Sequence, residues 1–315
     1  MAKLKYLFLP FLILASCKLE IESSYEDADG FYLEYINTYP ISGNRFIFFT
    51  EDTVITNDGH DIYFYNIHFR AGDIGYYGFD NRVVDFALLD KHVIATLDDS
   101  TIKVLDISNL QSLQVRDSLK LCGVGYSIIL KENTAFILSN DKIFLIDCED
   151  KDNLSPIKIL QFGSELVSFT MDSTKLYVNT GEKCIIFDIK NIPNCYPCDS
   201  FVLSSNPCMI IVNKNSLYAA ARGLDVYDLI NKQQKWTLNF PEPLIISIYI
   251  FNKFGIAITW YSGETYLINL EYPSKPAVLE QIESRGSYCY GIIRNNKIYL
   301  LSENGLSAFV IKEIK

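Results

Sequence analysis

Cysteine is the residue type in this chain with the most chemistry to offer. There are eight: Cys17, then Cys122, Cys148, Cys184, Cys195, Cys198, Cys208 and Cys289. Cys195-Tyr-Pro-Cys198 has the C-x-x-C spacing of a local disulfide, a redox pair or half of a metal site. A redox pair normally opens a helix, whose N-terminus lowers the thiol pKa. This pair precedes a strand pattern, which argues against that use. Zinc needs four ligands, and beyond Cys208 no histidine lies nearby in sequence to complete a set. What is left for Cys195 and Cys198 is a local disulfide or two reduced thiols. Cys184 and Cys289 fall within strand patterns, where a free Cys packs as a small apolar residue. The three histidines, His60, His68 and His92, sit close together in sequence, with His68 at a strand end and His92 after a tight turn, both read as facing solvent. The adjacent acids Asp98-Asp99 and Glu149-Asp150 fall in turns and read as solvated. No residue set calls for a metal or a cofactor.

Cys17 is a different case. Lys3 and Lys5 give the chain a positive start, and Tyr6 to Ala15 are apolar apart from one hydroxyl. That run is too short for a membrane-spanning helix, which needs roughly 20 apolar residues, and it fits the hydrophobic region of a secretory signal. It ends in Leu14-Ala15-Ser16-Cys17, which resembles the lipobox of bacterial lipoproteins. The resemblance implies cleavage before Cys17 and acylation of that residue, with two or three acyl chains giving far firmer anchoring than one. Residues 1–16 are then the signal peptide and residues 17–30 a lipidated cysteine followed by an acidic tether. Lys18 stands where some bacteria read an inner-membrane retention signal, typically Asp, so the resemblance implies a cell-envelope protein of the outer membrane or cell surface.

The remainder, 31–315, is one repeat. Apolar strands ending in Asp or Asn recur as IYFYN to Asn66, IKVLD to Asp106, IFLID to Asp147, CIIFD to Asp188, LDVYD to Asp228 and TYLIN to Asn269. The intervals are 40, 41, 41, 40 and 41 residues, and LSAFV ends a further 41 on at Val310. Within each period there are four short runs of β-branched and aromatic residues, bounded by Asn, Asp, Gly, Ser or Lys. The unit LQVRDSLKL, GYSIIL, TAFILS, KIFLID shows the pattern, with the middle runs joined by very short polar turns as in hairpins. Four strands per period of about 41 residues, seven times, is the arithmetic of an all-β, seven-bladed β-propeller of four-stranded antiparallel blades. A lone blade cannot bury both faces, whereas a ring of blades buries each against its neighbours. The Asp or Asn closing each unit, read as the end of an outer strand, is expected to accept backbone N–H groups of the following turn.

The blade ends VLDISNLQSLQVRDSLKL, LIDCEDKDNLSPIKIL, IFDIKNIPNCYPCDSF and LINLEYPSKPAVLEQI resemble the LVIVD repeat of bacterial surface and secreted propellers. The likeness is closest at Asp106-Ile107-Ser108 and at Pro156 and Pro276, and it spans roughly Ile62 to the C-terminus. It implies a propeller and an exported location, with no shared catalytic residue. A second stretch, VYDLINKQQKWTLNF, resembles the PQQ-type repeat of outer-membrane-assembly lipoproteins, in which the Trp, here Trp236, docks between blades.

Function classes narrow accordingly. The chain carries 28 Lys+Arg against 38 Asp+Glu, a formal charge of −10, with 49% apolar and 14% aromatic residues. Without a basic run, nucleic acid is not a partner. Propeller ligands lie over the central channel, on a face formed by loops. The loops entering each unit's second run carry Arg82, Tyr126, Arg285 and Tyr288, side chains suited to a protein, peptide or glycan partner. The expectation is a non-catalytic, envelope-anchored binding or scaffolding propeller. Two alternatives stand beside it. One is an assembly factor for outer-membrane proteins that binds strands along a sheet edge. The other is an extracellular polymer hydrolase, which needs two carboxylates roughly 5–10 Å apart in a cleft.

Overall fold

A computed structural model describes residues 31–41, 43, 45–68, 73–240, 245–259, 264–282, 288 and 290–313. Residues 1–30, on which the expected signal peptide, Cys17 and acidic tether fall, lie outside the described residues, as do Arg285 and Cys289. Seven four-stranded antiparallel sheets make a seven-bladed propeller. Blades 1 to 6 are continuous in sequence, spanning 45–78, 83–120, 127–161, 168–202, 209–238 and 245–282. Blade 7 takes three strands from 290–313, and its fourth is the chain's first strand, Phe31–Tyr39, paired with Gly305–Glu313.

This closure shifts the phase of the repeat by one strand. Each blade begins with its innermost strand and ends with its outermost. The strands that close in Asp or Asn are therefore third strands, one in from the edge, and not outer strands as the repeat suggests. Two faces result. On the upper face, fourth strands connect to the next blade and second strands connect to third. On the lower face lie the first-to-second turns and the third-to-fourth loops.

At all six repeat positions the Asp or Asn accepts the N–H two residues on: His68, Ser108, Glu149, Lys190, Ile230 and Glu271, at 2.8–3.0 Å. The intervening residue sends its own N–H back to the first-to-second turn of the same blade, as in Ile107 to Lys91 O and Ile189 to Thr174 O, both 2.9 Å. In blade 3 that intervening residue is Cys148, whose N–H bonds Asn133 O at 2.7 Å. Cys148 thus stands where other blades place Ile or Leu, and it is fully buried. Burial pushes its thiol up to about 11.

Past this latch, the outermost strands of blades 2 to 7 each take an extra residue, a β-bulge. In blades 2 and 5 the bulged residue is basic and reaches the latch carboxylate: Arg116 Nη2 to Asp106 Oδ2 and Lys235 Nζ to Asp228 Oδ2, each 2.5 Å. The core is divided into seven apolar clusters, one per blade interface. Ile94, Ile128 and Phe144 join blades 2 and 3, and Phe46, Leu301 and Leu306 join blades 1 and 7.

Asp106 is buried, and the Ser108 N–H together with Arg116 holds its carboxyl well below the usual range. Asp228 is lowered to about 2, chiefly by Lys235. A carboxyl with a depressed folded pKa contributes stability that is complete above the unfolded value, near 4, and is lost as pH falls through the folded value. Asp106→Asn keeps the acceptor oxygen, as Asn66 and Asn269 do in their blades, and removes the ion pair. It should lower stability at pH 7 by about 1.5 kcal/mol. That difference should shrink as pH falls from about 4 towards 2, measured by urea unfolding of both proteins across the pH range.

Candidate functional site at the upper mouth of the channel

The innermost strands bring one position per blade to the same level, each paired four residues beyond the start of the second strand's register. These are Arg45, Asp85, Ser127, Ser168, Met209, Ser247 and Tyr290, opposite Asn57, Thr96, Leu138, Asn179, Ala220, Ile258 and Leu301. A polar chain runs through them. Arg45 is paired with Asp85, its Nε donates to Tyr290 Oη at 3.2 Å, and its guanidinium lies 5.8 and 5.7 Å from the Phe86 and Tyr290 ring centres. Asp85 also accepts the N–H groups of Phe86 at 2.8 Å and Ile128, in blade 3, at 2.9 Å. The Tyr290 ring lies 4.8 Å from Tyr249, whose hydroxyl accepts from Ser247 at 2.7 Å. Side chains from blades 6, 7, 1 and 2 and a backbone N–H of blade 3 are thereby linked from blade to neighbouring blade.

Asp85 is the one carboxylate at this level, and Arg45 and two backbone N–H groups already engage it. Two residues further along the same strands, the positions are Ile47, Ala87, Ile129, Thr170, Ile211, Tyr249 and Ile292, an apolar layer relieved by two hydroxyls. This is the geometry of a structural clasp. The facing pair of carboxylates that glycoside hydrolysis needs is not assembled here. Removing one partner of such a pair leaves a buried charge uncompensated, so Arg45→Met should cost about 3 kcal/mol and Asp85→Leu added to it should restore part of the loss. Thermal unfolding of the two variants measures this.

The upper rim is built by the residues just before the innermost strands. Tyr126 is 49% exposed and donates its N–H to Leu138 O at 2.7 Å. Val167 makes the equivalent bond to Asn179 O and Cys208 to Ala220 O, both at 2.9 Å. Val167 is 42% exposed and Cys208 is exposed as well. Tyr126, Val167 and Cys208 are successive repeats of one position, 41 residues apart. Residue type singled out Tyr126 alone, and carrying the period forward would have found the other two. Arg82 is also exposed on this rim, entering blade 2, and its carbonyl accepts the Asp98 N–H at 3.0 Å.

Tyr288 departs from expectation. It is 2% exposed and packs with Phe254, Ile293 and Ile298 between blades 6 and 7. Its aromatic ring has been taken into the interface, so it is a core residue and not part of the rim. Arg285 lies outside the described residues.

Beside Cys208 a cavity of about 460 Å³ opens on the upper face, lined by Ser204, Ser205, Asn206, Cys208, Ala221 and Arg222. Its wall is rigid. Buried Asp225 accepts from Ser204 Oγ at 3.2 Å, Ser205 Oγ at 2.6 Å, Gln234 Nε2 at 2.9 Å and Thr237 Oγ1 at 2.6 Å. The Tyr227 hydroxyl accepts the Ser204 N–H at 2.7 Å. Arg222 is exposed at the edge.

None of the six described cysteines is in a disulfide. Cys195 stands seven residues after the blade-4 latch Asp188, as Leu154 stands after Asp147, and like Leu154 it is buried in an interface cluster. Cys198 is the bulged residue of the outermost strand and is exposed. The C-x-x-C is thus a packing residue and an edge residue, and the two sulfurs are not bonded. Cys184 is buried between blades 4 and 5, its thiol pushed up to about 12. The histidines do not converge. His60 lies in an upper turn of blade 1, His68 is 2.7 Å from Asp52 on the lower face, and His92 begins a second strand of blade 2. Among the described residues no group of three or more His, Cys, Asp or Glu is placed to hold a metal ion. Trp236 lies on the outermost strand of blade 5, 39% exposed, and does not dock between blades.

No known protein family and no curated protein matches the chain by sequence. Solved structures match by shape. The Myceliophteria thermophila Cps50 (Swd1) β-propeller domain superposes with a TM-score of 0.72 at 9% identity, over 89% of this chain and 100% of that one. BamB from Moraxella catarrhalis gives 0.62 at 11% identity, over 88% and 99%. A chain of the Mitotic Checkpoint Complex gives 0.69 at 10% identity, over 90% and 94%. At these identities the likeness establishes the β-propeller fold.

Proposed function

We propose that this protein is a lipid-anchored, non-catalytic propeller of the bacterial cell envelope whose upper face, over blades 3 to 5, binds a protein or peptide partner. The observation that carries the reading is the exposed arc of Tyr126, Val167 and Cys208 beside the rigid polar pocket that ends in Arg222. An apolar arc next to oriented hydrogen-bonding groups and one guanidinium suits a peptide that covers the arc with an apolar side chain and offers an acidic group to Arg222. A propeller of this shape within the Mitotic Checkpoint Complex supports use of the fold as a protein-binding disc, an argument from fold alone. Strand addition at the blade edges is disfavoured, because the outermost strands of blades 2 to 7 are bulged and that of blade 1 is four residues long.

Two measurements test the two halves of the proposal. In cells fed an alkyne-bearing fatty acid, the wild-type chain should take up label and partition into detergent. Cys17→Ser should lose the label and leave the membrane fraction, and labelling of the variant at wild-type level would refute the anchor. For the face, native envelopes are crosslinked with wild type and with Tyr126→Ala/Val167→Ala, which leaves the interface clusters intact. A partner captured by wild type should fall about tenfold with the variant, the effect of losing about 1.4 kcal/mol at a binding hot spot. Equal capture by both would remove this face from consideration.

A further inference from the structure

The closing strand fixes where the N-terminal segment leaves the propeller. Phe31 pairs with Glu313 and Tyr39 with Leu306, so the strand runs from the lower face to the upper one. Leu33 donates its N–H to Glu280 Oε2 of blade 6 at 2.8 Å. The strand therefore begins, at Phe31, on the lower face, at the rim where blades 6 and 7 meet.

Just inward of that point the lower face changes character. The turns of blades 1 to 3 carry Glu51, Asp52, Asp73, Asp90, Glu132, Glu149, Asp150 and Asp152 against Lys91 and Lys151, whereas those of blades 5 and 6 carry Lys214, Lys232, Lys253 and Lys275 against Glu271, which lies 3.7 Å from Lys253. Two cavities flank the Asn252-Lys253 turn. One, of about 370 Å³, lies between blades 6 and 7 and is lined by Phe251, Phe254 and Ile293. The other, of about 360 Å³, lies between blades 5 and 6 and is lined by Lys214, Glu271 and Pro273. Around them Phe251, Tyr272 and Ile230 are 42%, 65% and 69% exposed. In a chain of net charge −10, a basic and apolar sector on this side is an exception that asks for an acidic, partly apolar occupant.

The segment that begins next to it has that composition. Leu19–Gly30 reads LEIESSYEDADG, five carboxylates with no lysine or arginine, and Leu19, Ile21 and Tyr25 among them. Leu19-Glu20-Ile21-Glu22 alternates, so in extended form its apolar and acidic side chains fall on opposite sides. From the outermost strand to the innermost turn is three strand spacings, about 14 Å. Twelve extended residues reach about 40 Å. Being covalently tethered, the segment meets the face at an effective concentration in the millimolar range, so weak complementarity suffices.

We infer that residues 19–30 dock back across the lower face of blades 5 and 6, their carboxylates on Lys214, Lys253 and Lys275 and their apolar side chains over the two cavities. The docked segment would present the lower face toward whatever holds Cys17 and leave the upper rim pointing away from it.

Zero-length carbodiimide coupling of the purified full-length protein, read by mass spectrometry, tests this independently of acylation and of any upper-face partner. Amide links from Glu20, Glu22 or Glu26 to Lys214, Lys253 or Lys275 are expected in the monomer. They should fall several-fold when salt is raised to about 0.5 M. Lys232 and Asp199, 2.5 Å apart on the blade-4 and blade-5 edge, supply an internal control whose link should persist in every sample. The inference fails if that control forms while the segment's links are missing. It also fails if the links are spread over the lysines of all blades, or if they occur only in a covalent dimer.

Discussion

Everything in this molecule depends on one antiparallel pairing, that of Phe31–Tyr39 with Gly305–Glu313. A ring of blades held only by side-chain contacts has a seam. Here the seam is covered by main-chain hydrogen bonds between strands about 270 residues apart in sequence. The ordering entropy of closing so large a loop grows only with the logarithm of its length, whereas the pairing completes the fourth strand of blade 7 and buries interface surface on both sides. Gly305, at φ +121°, sits where a Cβ would collide with the Tyr39 carbonyl, so the close approach of the two ends is itself specified by a residue without a side chain.

From that closure follows the phase of every other blade. The third strand, not the edge strand, carries the Asp or Asn latch, and the edge strand bulges over it. The same geometry makes the latch an ion pair in blades 2 and 5, where the bulged residue is Arg116 or Lys235, and a hydrogen-bonded Asp or Asn turn in blades 1, 3, 4 and 6. On the inner side, charge is spent once, in the Arg45–Asp85 pair. That pair satisfies backbone donors of two blades and leaves the rest of the channel ring to hydroxyls, a thioether and apolar side chains. The exposed arc and pocket lie apart from that pair, on the upper rim.

The two faces are therefore unequal. The upper one presents apolar side chains before the innermost strands and a hydrogen-bonded pocket. The lower one presents latch turns, mainly acidic over blades 1 to 3 and mainly basic over blades 5 and 6, and the closing strand begins on it at Phe31. The direction of one strand, Phe31–Tyr39, decides which face its N-terminal end lies on.

What the amino-acid order determined by itself was local and periodic. Runs of alternating β-formers 40 or 41 residues apart, each closed by Asp or Asn, specify strands, turns and the number of blades, because repeat and turn chemistry act between near neighbours. The six side-chain bonds from Asn66, Asp106, Asp147, Asp188, Asp228 and Asn269 are legible for the same reason. Tertiary structure decided whatever depends on which neighbour a residue faces. The ends pair to close the ring, which no local pattern encodes. Tyr288 enters an interface although its type suits a rim, and Cys195 and Cys198 separate because Cys195, just after a 3-10 turn, faces the interface whereas Cys198 is the bulged residue of the edge strand. Val167 and Cys208 join Tyr126 because the ring stacks equivalent positions side by side. Residue type gave no hint of that neighbourhood; the 41-residue period marks the equivalent positions, and only the packing of the blades decides that they are exposed.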